Sequence, residues 1–180
     1  GEREAWRAIE EGLDVVIVNP SVILGAGDWN KGSAAIFSSA YKGMHFYASG
    51  ITGFVDATDV AECMIRLMDG DFKNDRYLVS AGNLPFRELF NQIHDEFGRK
   101  RPNISAGKVL TGIAWRAEAF TNFFTQKPPM LTKETARSAQ SKIFFSNDKV
   151  KEALNFEFKP LELSIKNLCG LYLKELDLVG

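Results

Sequence analysis

The chain has 180 residues, 45% of them hydrophobic and 25% charged, and a net charge of −1. That length and balance admit one domain with a real core, or one and a half, and exclude wholesale disorder, a nucleic-acid-binding field and attraction to an anionic membrane. Two cysteines, Cys63 and Cys169, sit in apolar helical patterns, and the two histidines, His45 and His94, offer no metal-ligand spacing. No stretch is long and apolar enough to span a membrane and no signal peptide opens the chain, so a soluble cytoplasmic protein with reduced thiols and no metal is expected.

Glu2 to Glu11 reads as a helix with an apolar stripe of Ala5, Trp6, Ile9 and Leu13, and Gly12 stands where a helix end wants a left-handed residue. The helix runs from the first residues with no N-cap, so an excised fragment or a truncated product is expected. Val15 to Val18 is an unbroken β-branched run, the pattern of a strand buried on both faces of a parallel sheet. Helix, Gly, buried strand is half of a βαβ unit. Asn19 and Pro20 follow, then the apolar run Val22 to Leu24, then Gly25-Ala26-Gly27. In open α/β sheets ligands bind outside the carboxyl ends of the strands, so chemistry is expected along Asn19 to Trp29.

Ser33 to Lys42 predicts a helix and Phe46 to Ala48 a short strand, with Ser49-Gly50 and Thr52-Gly53 as turns around Ile51. Asp56 and Thr58 compete to cap a helix whose stripe is Val60, Ala61, Met64, Ile65 and Met68. Arg76 to Ser80 reads as a strand, Ala81-Gly82-Asn83 as a turn, and Pro85 as the first position of a helix striped by Phe86, Leu89, Phe90, Ile93 and Phe97 and closed by Gly98. His94 falls on the flank of that stripe, as a surface or half-buried structural histidine. Arg99-Lys100-Arg101 reads as a solvated linker or a phosphate contact.

Leu110, Ile113, Ala114, Ala117, Phe120 and Phe124 suggest another helix, Lys127-Pro128-Pro129 a break, and Thr132 to Ala139 a short helix. Ile143 to Phe145 reads as a brief strand. Ser146 to Asp148 caps a helix through Leu154, and Asn155 takes the left-handed position after it. Pro160 begins the last helix, with Leu161, Ile165, Leu168, Cys169, Tyr172 and Leu176 on its buried face.

Five stretches, in order, carry a resemblance. They are Gly1-Glu2-x-x-Ala5-Trp6, Asn19-Pro20-Ser21-x-x-x-Gly25, Phe54-Val55-Asp56-x-x-Asp59-Val60-Ala61, Arg76-Tyr77-Leu78-Val79 and Ser146-Asn147-x-Lys149-x-x-x-x-Leu154. Each is weak alone; together they cover nearly the whole chain. It resembles the C-terminal part of an extended short-chain dehydrogenase/reductase, of the NAD-dependent epimerase/dehydratase group. Within that group it is most similar to the dihydroflavonol-reductase-like ketone reductases.

The resemblance implies an α/β fold: late strands of a Rossmann-type, doubly wound parallel sheet plus a mostly helical C-terminal substrate lobe. Residues 1–80 would belong to the NAD(P)-binding domain and 81–180 mainly to the substrate lobe, with some segments interleaved. It implies that Asn19, Pro20, Ser21 and Val22 bind NAD or NADP, with Pro20 and Ser21 near the nicotinamide and phosphates. Gly25, Asp28 and Trp29 would line the substrate; Asp28 and Trp29 also read as a capped turn with a half-buried indole. Ala26 stands where many relatives have Pro. The family's catalytic Tyr-x-x-x-Lys and its Gly-rich phosphate loop have no counterpart in these residues, so no catalytic residue and no turnover are expected of this chain by itself.

The expected parent is an NAD(P)-dependent enzyme that reduces a small-molecule ketone or oxidises an alcohol, working as a homodimer. The alternatives are a nucleoside-diphosphate-sugar epimerase or dehydratase, disfavoured by the lack of an Asn-Val-Tyr-Gly-Pro pattern, and a non-catalytic NAD(P)-binding sensor of the same fold.

Overall fold

The computed structural model describes residues 1–106 and 139–179. In chain order its elements are α1 (Glu2–Glu10), β1 (Val16–Pro20), β2 (Val22–Leu24), a 3-10 turn (Gly32–Ala34), α2 (Ala35–Tyr41), β3 (Phe46–Tyr47), β4 (Ile51–Asp56), α3 (Ala57–Asp69), β5 (Asp75–Val79), β6 (Gly82–Pro85), α4 (Phe86–Glu96), β7 (Ile104–Ser105), α5 (Asp148–Leu154) and α6 (Leu161–Val179). The sequence-predicted helix over 110–124, the break at 127–129 and the helix beginning at Thr132 lie outside the described residues.

The sheet is forked. β1 and β5 begin side by side and parallel, Val16 opposite Asp75 and Pro20 opposite Val79. Both strands then bend, at Ser21 and at Ser80-Ala81, and continue as β2 and β6. β4 fills the opening, parallel to β2 and antiparallel to β6. The Ser21 amide donates to the Val79 carbonyl at 2.9 Å and the Ala81 amide to the Phe54 carbonyl at 2.8 Å, so backbone bonds bridge the two pairings. Gly53 lies in the crotch. A Cβ there would sit 2.6 Å from Ser80 Oγ, 2.7 Å from the Phe145 ring and 2.9 Å from the Ser21 Cβ.

Two apolar clusters flank the fork. One joins Leu24 and Phe54 to Phe37 and Ala40 of α2, Leu89 and Ile93 of α4, and Ile165 and Leu168 of α6. The other joins Val55, Tyr77 and Val79 to Val60, Cys63 and Leu67 of α3, Val150 of α5, and Phe156. Phe54 and Val55 are neighbours that enter opposite clusters, as alternation along a strand requires.

The strand covered on both faces is therefore β4, whose last four residues are all buried, and not β1, whose Val16 to Val18 are half-buried. Val16 and Val18 pack on the α3 side. On the opposite face Asn19 shares an open cleft with Trp6 of α1, a helix that has no buried residue and leaves Trp6 40% exposed. Among the described residues β1 pairs with β5 alone.

Other expectations need correction. Thr52-Gly53 and Gly82-Asn83 are strand, not turn: both glycines lie in the β4–β6 ladder, and Gly53 serves close approach within the sheet rather than reversal of the chain. The buried face of α3 is Val60, Cys63 and Leu67; Met64, Ile65 and Met68 point outward, with Met68 79% exposed. Ile143 to Phe145 is not a strand: the Asn83 side chain takes the place of a neighbouring backbone, donating to the Phe145 carbonyl and accepting from its amide, both at 2.8 Å. Leu176 is exposed, and His94 is buried outright.

Several expectations hold. Gly12, Gly98 and Asn155 adopt φ of +95°, +62° and +45° at their helix ends. Both cysteines are free and buried; burial pushes Cys63 up to about 11 and Cys169 up to about 12, which leaves both as unreactive thiols.

Gly53→Ala should lower the urea midpoint of unfolding with an unchanged slope, by about 1–3 kcal/mol of overpacking strain, since three side chains from different segments would have to give way. A midpoint equal to wild type would show that the crotch has slack.

Candidate functional site

The seven residues singled out by sequence fall into two groups. Asn19 to Val22 form the bend that ends β1 and begins β2. Asn19 turns toward α1, into an open cleft of about 620 Å³ that it shares with Trp6, Asp75, Arg76, Leu78, Ser146 and Lys149. Its charges are paired internally: Arg76 binds Glu2 at 2.9 Å, and Lys149 binds Asp75. Hydrogen bonding by Arg76 holds the Glu2 carboxyl below its ordinary range, and Lys149 does the same for Asp75. Pro20 is exposed at the strand end, and Val22 turns inward against the α2–α4–α6 cluster. Ser21 is half-buried, and its hydroxyl donates to Ser80 Oγ at 3.0 Å. For Ser21 to donate to a phosphate, that pair must reverse, with Ser80 donating instead.

Gly25, Asp28 and Trp29 lie along the loop that leaves β2. Gly25 passes the start of α3 so closely that a Cβ would meet the Ala57 Cβ at 2.8 Å. Asp28 is exposed. Its carboxylate accepts from the Asn30 amide at 3.0 Å and pairs with Lys31 at 2.9 Å, and the Lys31 contact, then the Asn30 amide, lower its pKa. Trp29 is anchored: its ring meets Tyr172 and Phe37 edge-on at 5.1 and 6.1 Å, and its indole N–H donates to Glu175 at 2.5 Å. Ser38 also donates to the Trp29 carbonyl at 2.6 Å. The loop is thus a capped turn with a half-buried indole, and it is held against α6.

A third group locks the two halves of the candidate site together; the sequence offered Asp56 as one of two caps for α3, and Asp56 is the cap, but its partner Lys159 was missed. Asp56 ends β4 opposite Leu24 and caps α3, accepting from the Thr58 amide at 2.8 Å and hydroxyl at 2.7 Å. Lys159 reaches Asp56 at 3.2 Å and the Thr58 hydroxyl at 2.8 Å, while its backbone amide donates to Asp59 at 2.8 Å. The start of α6 is therefore bolted to the start of α3, next to Gly25. Burial pushes the Asp56 carboxyl up, but hydrogen bonds from the Thr58 hydroxyl and amide, Ser164 and Lys159 together outweigh it, and the group lies below its ordinary range. Asp59 lies above its own, because burial outweighs the Lys159 amide. The available signal was the spacing of two acids at a helix start; the partner lies a hundred residues away and no local pattern shows it.

Among the described residues no group of three or more acidic, cysteine or histidine side chains is placed to hold a metal, and no helix is long and apolar enough to cross a membrane.

No family model matches the chain. Curated relatives do. It is 31% identical over 101 residues to tetraketide alpha-pyrone reductase 2 of Arabidopsis thaliana, covering 54% of this chain and 32% of that protein. It is 27% identical over 134 residues to sterol demethylase protein B of Methylococcus capsulatus, covering 72% and 41%. Among solved structures it aligns with a nucleoside-diphosphate-sugar epimerase from Pseudomonas aeruginosa, with a TM-score of 0.73 and 19% identity over 97% of this chain and 53% of that one. It also aligns with yeast methylglyoxal/isovaleraldehyde reductase complexed with NADPH, with a TM-score of 0.64 and 18% identity over 98% and 49%.

The chain is a partial match to the extended short-chain dehydrogenase/reductase family. It spans less than half the length of the curated relatives and about half that of the solved ones. Structures of that fold have been solved with NADPH and with NAD.

The signs of the two acid shifts predict opposite pH dependence. Asp56, lowered by folding, contributes stability above the ordinary carboxylate pKa that is lost as pH falls through its folded value. Asp59, raised by folding, contributes only below the ordinary value and loses that contribution as pH rises through its folded one. Asp56→Asn keeps a good cap and removes the charge. Its deficit against wild type should be largest at neutral pH and shrink at about pH 4 and below. Asp56→Ala should cost about 0.5–2 kcal/mol or more at neutral pH, since the cap is lost as well. Equal urea midpoints for all three proteins at neutral pH would remove the clamp from the account.

Proposed function

We propose that this chain forms the late-sheet and substrate-side part of an NAD(P)-dependent oxidoreductase that reduces a ketone or oxidises an alcohol. The observation that carries this reading is the identity with a plant reductase over 101 residues, at 31%. The bend at Asn19 to Val22 supports it. A bend at the carboxyl end of a parallel strand, with a proline ring exposed and a serine hydroxyl beside it, is the kind of place where α/β sheets receive ligands.

The residues fit one wall of a dinucleotide site rather than a whole one. Pro20 offers a rigid apolar edge with no N–H of its own. Ser21 offers lone pairs as arranged, or a donor when the Ser21–Ser80 bond reverses. A nicotinamide would supply or take the hydride. The residues of this chain would orient it, keep water from one side, and present substrate from the loop Gly25 to Trp29. No Tyr-x-x-x-Lys occurs in the 180 residues, so the proton transfer that accompanies hydride transfer falls to residues elsewhere in the parent. We assign residues 1–80 mainly to cofactor contact and 81–180 mainly to the substrate lobe, and the parent to a homodimer.

Two measurements test this. Titrating the isotope-labelled chain with NADPH and with NADH should move the amide signals of Asn19, Ser21 and Val22 ahead of all others. Movement elsewhere, or none, would remove the cofactor assignment. Mixed with either cofactor and a panel of ketones, the chain by itself should show no turnover, and reproducible turnover would place the catalytic groups among these residues.

A further inference from the structure

We propose that His94 is a proton-operated latch that ties the segment entering β3 to helix α4. The ring lies in the last turn of α4 and is wholly buried. Both of its nitrogens face carbonyl oxygens. Nδ1 is 2.7 Å from the Phe90 carbonyl, one turn back on the same helix, and Nε2 is 3.1 Å from the Met44 carbonyl, fifty residues away in sequence. A carbonyl only accepts, and a neutral imidazole carries one N–H. The doubly protonated ring satisfies both bonds. The neutral ring satisfies one and turns a lone pair toward the other oxygen.

The shorter bond, within the helix, keeps the remaining proton. The contact that fails is the one to Met44. That residue lies in the link between α2 and β3, after Gly43 at φ +85°. The link is held from the α2 side by the Gly43 amide on Ala40 at 2.9 Å and the Met44 amide on Ser39 at 3.1 Å. Downstream, β3 pairs with β7, and the His45 carbonyl accepts from Ile104 at 3.1 Å. Proton loss at one ring therefore frees the Met44 end of a strap that carries the β3–β7 pair.

The surroundings suit a cation that can be discharged. The ring sits at the negative end of the α4 dipole. The neighbouring charges are Asp95 on the same helix, engaged by Arg101 at 2.6 Å, and Glu96, which acts on Cys169 of α6. From the loop after α4 comes Arg99, whose amide binds the His94 carbonyl at 2.8 Å while its guanidinium lies over Tyr41 of α2. His45 is the one other histidine and is exposed.

With only two histidines, ring nitrogen spectra of the whole chain can be assigned by comparison with His45→Gln. In acid, the buried ring should show two protonated nitrogens. As pH rises, Nε2 should change to the unprotonated type. At the same midpoint the amides of 44–47 should shift, and their hydrogen exchange, corrected for the intrinsic effect of pH, should speed up severalfold. His94→Gln, with an amide donor for one carbonyl, should abolish that coupled step and leave the His45 ring signals as in the wild type. If the variant fails to fold, the wild-type spectrum still decides. A single neutral tautomer at every pH, a ring that stays doubly protonated throughout, or a titration that leaves 44–47 unmoved would each overturn the latch.

Discussion

Everything here hangs on a parting of strands. β1 and β5 can separate after Pro20 and Val79 because a third strand enters between them, and it can enter because its residue at the crotch, Gly53, has no side chain. Ser21, Ser80 and the Phe145 ring occupy the volume that any side chain at position 53 would need. The two serines then bridge to one another. The bend that results carries Asn19, Pro20, Ser21 and Val22, so the shape of the candidate cofactor wall follows from the absence of one Cβ.

The fork also explains how one sheet serves two cores. Below it, β1 and β5 face α3 and α5; above it, β2, β4 and β6 face α2, α4 and α6. β4 belongs to both, and its terminal Asp56 binds Lys159, just before α6 begins. The loop from Gly25 to Trp29 leaves β2 beside this joint and ends on the aromatic group of α2 and α6. The course of that loop is thus set by Tyr172 and Glu175 of α6 as well as by its own Asp28 turn.

Elements with a local cause were legible in the sequence. α4 announced itself by the spacing of Leu89, Phe90 and Ile93, α5 by Asn155 at its end, and α1 by Gly12 at its end. Elements with a remote cause were not. Gly53 and Gly82 carry the same local signal as turn glycines, and only their pairing in the β4–β6 ladder distinguishes the two uses. Val15 to Val18 has the composition of a doubly covered strand, yet α1 buries nothing on one of its faces. The apolar stripe Met64, Ile65 and Met68 is as regular as the buried one on α3, so periodicity could not choose between them. Of the candidate site, the bend at Asn19 to Val22 was placed by pattern, whereas the engagement of Ser21 by Ser80, of Trp29 by Glu175 and of Asp59 by Lys159 joins residues too far apart for any pattern to show.

The bolt between Lys159 and the start of α3 bears on how the molecule assembles. Its partners are a hundred residues apart, and the Ser21–Ser80 and Asn83–Phe145 contacts span 59 and 62. Each such closure gives up chain entropy before it returns any contact energy. The last two helices have nothing to dock against until the fork exists, and α3 lacks its outer fastening until they arrive. Such a chain gains little from its early local helices and commits late, so its rate of folding is set by the meeting of distant segments rather than by the growth of any one of them.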